Sequence, residues 1–82
     1  MESFLFHSGR WYTSQKKYTQ ARNSFRIASD MNHAASMREL AVLYIRGQGG
    51  NVVLSEGMRL LRQAEARGDA DAALILDSFL EI

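Results

Sequence analysis

Residues 40–76 read LAVLYIRGQGGNVVLSEGMRLLRQAEARGDADAALIL, and the plan of this stretch decides the fold. It holds a helical run, a turn punctuated by Gly47, Gly49 and Gly50, a second helical run ending in Ala-Glu-Ala-Arg-Gly, and the start of a third. The segment before it follows the same plan. Placing Ala34 on Ala70, an offset of 36 residues, also places Arg26 on Arg62, Ala28 on Ala64 and Leu40 on Leu76. Conservative pairs fill in around them: Thr19 with Ser55, Ala21 with Gly57, Phe25 with Leu61, Leu43 with Phe79 and Tyr44 with Leu80. A fixed offset that sets small residues on small and large apolar residues on large is an internal repeat, because each helical hairpin must offer its neighbour the same packing face.

Composition agrees with an all-helical reading. The 82 residues are 46% apolar and 23% charged with a formal net charge of +1, which is ordinary globular material for one domain near the size where a single core is only just sufficient. Proline is absent, Ala, Leu, Arg, Gln and Glu are common, and no strand pattern competes. With no cysteine there is neither a disulfide framework nor a thiolate metal site, which fits a reducing compartment. The start, MESFLFHSGRW, lacks the charged and long apolar regions of a secretory signal. No apolar run approaches the ~18 residues of a membrane span. The expectation is a soluble, cytoplasmic protein, provided the chain begins at its natural start.

Along the chain, residues 2–14 read as a first helix, which Gly9 interrupts in a way that suggests close approach of a neighbour. Residues 16–30 read as a second, with Tyr18, Ala21, Phe25 and Ala28 on one amphipathic stripe and Lys16, Lys17, Arg22, Asn23 and Arg26 mostly off it. Asn32 and His33 stand where a cap belongs before a third helix over 34–46, packed by Met37, Leu40, Ala41 and Tyr44. The glycines at 47–50 end that helix by turn freedom. Ser55 can cap a fourth helix through Arg67, with Met58, Leu61 and Ala64 inward. Asp69 then opens a fifth that runs to the end.

These residues resemble a known family. Leu40-Ala41-x-x-Tyr44-x-x-Gly47-x-Gly49, followed by Gly57-x-x-x-Leu61-x-x-Ala64-x-x-x-Gly68-x-Ala70-x-Ala72, is similar to the Sel-one-like repeat, a cousin of the tetratricopeptide repeat. Gly9-x-x-Tyr12 with Tyr18-x-x-Ala21-x-x-x-Phe25-x-x-Ala28 resembles the tetratricopeptide form itself. Departures are Ala41 for the usual Gly, Gly50 for Val, Val53 for an acid, Gly57 for Ala and Glu65 for the second Ala of a pair. The resemblance implies one domain over 1–82, all-α, a right-handed array of antiparallel helical hairpins with about five helices. Its parts would be a tetratricopeptide-like hairpin over 1–31, a Sel-one-like hairpin over 33–68 and a terminal helix over 69–82. It implies a non-enzymatic adaptor or scaffold that binds a protein segment on its concave face, or alternatively a small inhibitor or immunity protein that neutralises a toxin or enzyme by direct binding.

Carrying the family geometry onto this chain puts Phe6, Arg10 and Thr13 on the concave face from the first helix, Arg38, Val42, Ile45 and Arg46 from the third, and Leu74 and Ser78 from the fifth. Three arginines among apolar residues suit an acidic, hydrophobic peptide or helix. The competing reading leaves the arginines solvated and the aliphatics as core. The fifth helix is apolar nearly all the way round. With Ala73, Leu76 and Leu80 packed on the fourth helix, Ile75, Phe79 and Ile82 would form a second face, expected to be covered by a second copy, by a partner or by further repeats.

Other chemistry finds little footing. His7 and His33 are the only histidines, and they have no metal-ligand spacing. Asp69, Asp71 and Asp77 match no calcium loop, and Gly47-Gln48-Gly49-Gly50 lacks the Lys-Ser/Thr of a phosphate loop. Ser8 and Ser36 show no paired base. Neither a cofactor nor an enzymatic role is expected. Ten basic residues offset by nine acids are a poor footprint for nucleic acid, and Lys16, Lys17, Arg22 and Arg26 read as a solvated face.

Overall fold

The computed structural model describes residues 1–80 and contains five α-helices, with no strand among the described residues. They are α1 (Glu2–Ser14), α2 (Tyr18–Asp30), α3 (Ala34–Arg46), α4 (Leu54–Ala66) and α5 (Ala70–Leu80). Each packs chiefly on the next in sequence. The radius of gyration is 11.7 Å, about what a compact chain of this length should have, so the helices share one core. No described helix is long and apolar enough to cross a membrane.

Helix boundaries carry the internal offset. α2 and α4 begin at residues 18 and 54 and end at 30 and 66, and α3 and α5 begin at 34 and 70, all 36 apart. α1 and α3 are also both 13 residues long but start at 2 and 34, an offset of 32. The four-residue difference is the glycine loop: residues 47–53 join α3 to α4 where only 15–17 join α1 to α2.

All four connections use the same helix exit. Lys16, Asn32, Gly47 and Gly68 adopt left-handed φ of 60°, 66°, 68° and 96°. Next to each, an amide reaches back five residues: Lys17 to the Tyr12 carbonyl (2.8 Å), His33 to Ala28 (3.2 Å), Gln48 to Leu43 (3.0 Å) and Asp69 to Ala64 (2.9 Å). This 6→1 bond satisfies carbonyls that a helix end leaves orphaned. Asn32 therefore closes α2, while His33 alone caps α3, its Nδ1 accepting from the Ser36 amide at 3.3 Å. Asp69 does the same for α5, its carboxylate accepting from the Ala72 amide at 2.8 Å. Ser55 does not cap α4; that helix begins a residue earlier, after Val53, with no side-chain cap.

The core joins Ala21 and Phe25 of α2, Met37, Leu40, Ala41 and Leu43 of α3, Leu60, Leu61 and Ala64 of α4, and Ala72 and Leu76 of α5. Gly9 is the contact that lets α1 lie close: a Cβ there would stand 2.5 Å from the fully buried Phe25 ring. On α5 the buried pair is Ala72 and Leu76, with Ala73 only half-buried, so the packing face is turned slightly from the expected stripe.

Arg22 departs most from expectation. It is only 7% exposed, not on a solvated face. Its Nε donates to the Gln48 carbonyl at 2.6 Å, its Nη2 donates to the carbonyls of Leu43 and Asn51 at 3.1 Å each, and the guanidinium lies 4.7 Å from the Tyr44 ring centroid. The donors of one planar fork thus fold the glycine loop back against α2, at the negative end of the α3 dipole.

Candidate functional site

Two hollows run along α3 on one side of the molecule. One, of 260 Å³, lies between α3 and α5 and is lined by Val42, Ile45, Arg46, Ile75, Ser78 and Phe79. The other, of 300 Å³, lies toward α1 and the glycine loop and is lined by Thr13, Phe25, Arg38, Glu39, Val42, Leu43, Arg46, Gln48 and Ile75. They share Val42, Arg46 and Ile75, so together they form one trough.

Val42, Ile45 and Arg46 reach the trough because α3 buries Met37 and Leu40 on its opposite side. Ile75 and Phe79 reach it because burying Ala72 and Leu76 turns the adjoining edge of α5 toward α3. Both are half-buried and packed against the core. The surface expected for a second copy and the surface expected for a protein segment therefore meet in one place. Ile82, the third residue of the expected assembly face, lies outside the described residues.

The remaining expected residues are placed differently. Phe6 is half-buried, its ring 6.0 Å from Phe25 and 5.1 Å from His33. Arg10 is exposed, with its guanidinium 5.7 Å from the Phe6 ring centroid. Leu74 is 66% exposed and lines neither hollow.

Electrostatically the arginines separate into two kinds. Arg38 is engaged within the chain: Nε meets both Asp69 oxygens at 3.0 and 3.2 Å, and Nη1 meets Glu39 at 2.6 Å. A guanidinium held by two carboxylates has little left to offer a ligand. Arg46 is exposed and forms no ion pair among the described residues, so its fork stands open beside the aliphatic floor.

A further hollow, of 370 Å³, lies on the other side between α2 and α4. Polar groups line it, among them the Arg59–Glu56 pair, Arg26, which donates to Asn23, and Asp30. Among the described residues no three His, Cys, Asp or Glu stand close enough to hold a metal ion. Sequence reasoning missed that Ile75 and Phe79 belong to the trough, although the pairing of Phe79 with the buried Leu43 at the offset of 36 was a signal for it. No protein-family model matches the chain, and neither a curated protein nor a solved structure matches it.

Proposed function

We propose that the chain is a non-enzymatic protein-binding module that holds a segment of another protein in the trough along α3. One observation carries the reading: Val42, Ile45, Ile75 and Phe79 make a partly open apolar floor, and the unengaged Arg46 stands at its rim. An apolar floor supplies burial and a guanidinium fork supplies a directional anchor, so the fitting occupant is a helix or extended segment with an acid close to two apolar side chains.

The architecture behind this reading is a diverged right-handed array of antiparallel hairpins of the tetratricopeptide-like and Sel-one-like kind. Its support is register: matched helix starts at an offset of 36, four alike helix exits, and close approach at both Gly9 and Gly57, where α1 meets α2 and α3 meets α4.

Peptide display against the immobilised chain tests the function. The selected peptides should carry an acid within one helical turn of two apolar residues. Val42→Glu should abolish their binding, and Leu74→Glu, outside the trough, should leave it intact. Peptides that bind Val42→Glu as well as the unaltered chain would overturn the proposal.

A further inference from the structure

His33 and Asp69 stand at the same place under the offset of 36, one ahead of α3 and one ahead of α5, and each caps its helix with a side chain. They differ in one property. A carboxylate keeps its acceptors well into acid, whereas an imidazole gives up its acceptor nitrogen to a proton in mild acid. The Ser36 amide can only donate, and it meets His33 Nδ1 at 3.3 Å, so the neutral ring carries its proton on Nε2. The Ser36 hydroxyl stands 2.7 Å from the same nitrogen, and Ser36 is fully buried. A single lone pair therefore serves two groups that no water reaches.

We propose that His33 makes the start of α3, together with the α1 contact resting on it, a pH-sensitive joint that is closed at neutral pH and loosened in mild acid. A proton on Nδ1 removes the acceptor from the Ser36 amide. The hydroxyl can turn to accept from the new N–H, but the amide cannot. Protonation also sets a cation at the positive end of the α3 dipole, in a helix whose first turn holds no acid. From α1 the Phe6 ring packs on His33 with centroids 5.1 Å apart, and the same ring already has the Arg10 guanidinium at 5.7 Å and the His7 ring at 5.6 Å. Both histidines of the chain and an arginine thus gather around one aromatic ring, whose attraction for a cation Arg10 already takes up. From α2 the nearest acid in sequence, Asp30, is exposed and lines the hollow toward α4. Further along α3, Glu39 pairs with Arg38, and the Asp69 carboxylate ahead of α5 is held by Arg38 as well. Among the described residues neither imidazole forms an ion pair. A cap that only the neutral ring can make favours the neutral form in the folded chain, so the unfolded chain binds more protons and stability falls as pH falls.

The experiment is a pH titration of the full chain by two-dimensional NMR, paired with urea unfolding at about pH 7.5 and about pH 5.5, a window that spans the histidine range. The Ser36 amide resonance should move with the same midpoint as the His33 ring protons. The ratio of folded to unfolded chain should fall about fivefold between the two conditions, the worth of one helix cap. His33→Asn supplies a cap that does not titrate and should remove most of that fall, whereas His7→Gln should leave the greater part of it. If His33→Asn does not fold, the Ser36 amide of the unaltered chain decides. A Ser36 amide that ignores the His33 titration would overturn the proposal, as would equal stability in both conditions or a fall that His33→Asn retains in full.

Discussion

The Nε of Arg22 donates to the carbonyl of Gln48 at 2.6 Å, tying α2 to a loop 26 residues further along the chain. The same fork also holds the Leu43 and Asn51 carbonyls, so a single side chain serves three backbone acceptors, of which Leu43 also accepts from the Gln48 amide. Removing it takes the donor from the Gln48 and Asn51 carbonyls, at about 1–3 kcal/mol for an unsatisfied group, while Leu43 keeps the Gln48 amide. Arg22→Ala should destabilise the chain by about 3 kcal/mol. Arg22→Lys should recover only a minor part, because a compact ammonium cannot span three carbonyls in a plane. Urea unfolding followed by circular dichroism measures both.

The loop is held just as closely on its other side. Gly49 has φ +84°, and a Cβ there would stand 2.6 Å from the Tyr18 backbone, whereas Gly68 has φ +96° with nothing within 4 Å. Gly68→Ala thus costs only the left-handed conformation, about 1 kcal/mol. Gly49→Ala adds a clash with backbone that cannot move aside, and should cost about 2 kcal/mol more. Comparing the two midpoints separates conformational strain from crowding.

Gly9 and Phe25 form a different kind of pair, in which the obstruction is a side chain. Gly9→Ala should cost about 1–3 kcal/mol by overpacking. Phe25→Leu alone should also destabilise, through the cavity it leaves. The double variant should be more stable than the sum of the two losses implies, since the smaller side chain makes room for the new methyl. A double-mutant cycle reads this coupling directly, and additivity would mean that α1 shifts away instead.

The five helices were legible because their apolar spacing is strong and the glycine loop breaks it cleanly, and the span of α3 over 34–46 was read residue for residue. Boundaries that depended on cap chemistry moved. α2 starts at Tyr18 because Lys16 is left-handed, a conformation that a lysine does not advertise. Arg22 looked solvated because nothing local says that three carbonyls will arrive from a distant loop. The repeat held a clue: its counterpart at the offset of 36 is Met58, an apolar residue packed against the core. Arg38 was legible as a position near the trough but not as an engaged side chain, since its partner Asp69 is 31 residues away.

Acid titration should distinguish surface pairing from core pairing. The hydrogen bond from Arg59 holds the Glu56 carboxyl below its ordinary value of 4.5. A lowered folded-state value adds stability that is present above the ordinary value and lost as pH falls through the lowered one. The pair is exposed, so screening limits its worth to a few tenths of a kcal/mol. Arg59→Ala should unfold within about 0.5 kcal/mol of the unaltered chain at neutral pH. Any difference should vanish in acid, as measured by urea unfolding at both pH values.

Asp69 links the placement of α5 to the trough. One carboxylate accepts the Ala72 amide as helix cap at 2.8 Å and also receives the Arg38 Nε, so it fixes the start of α5 against the middle of α3. Asp69→Asn keeps an acceptor for the amide but gives up the charge that holds Arg38. Asp69→Ala loses both and should cost about 1–2 kcal/mol from the cap alone. The two substitutions should therefore separate in stability while agreeing in their effect on the trough. Arg38 then keeps only Glu39 as its partner, and the α5 edge bearing Ile75 and Phe79 loses a tie to α3. Peptides selected on the unaltered chain should bind both variants more weakly, by roughly threefold to tenfold on the scale of 1.4 kcal/mol per decade. Equal affinity for all three chains, measured by titration calorimetry, would mean that the occupant does not depend on how α5 is set against α3.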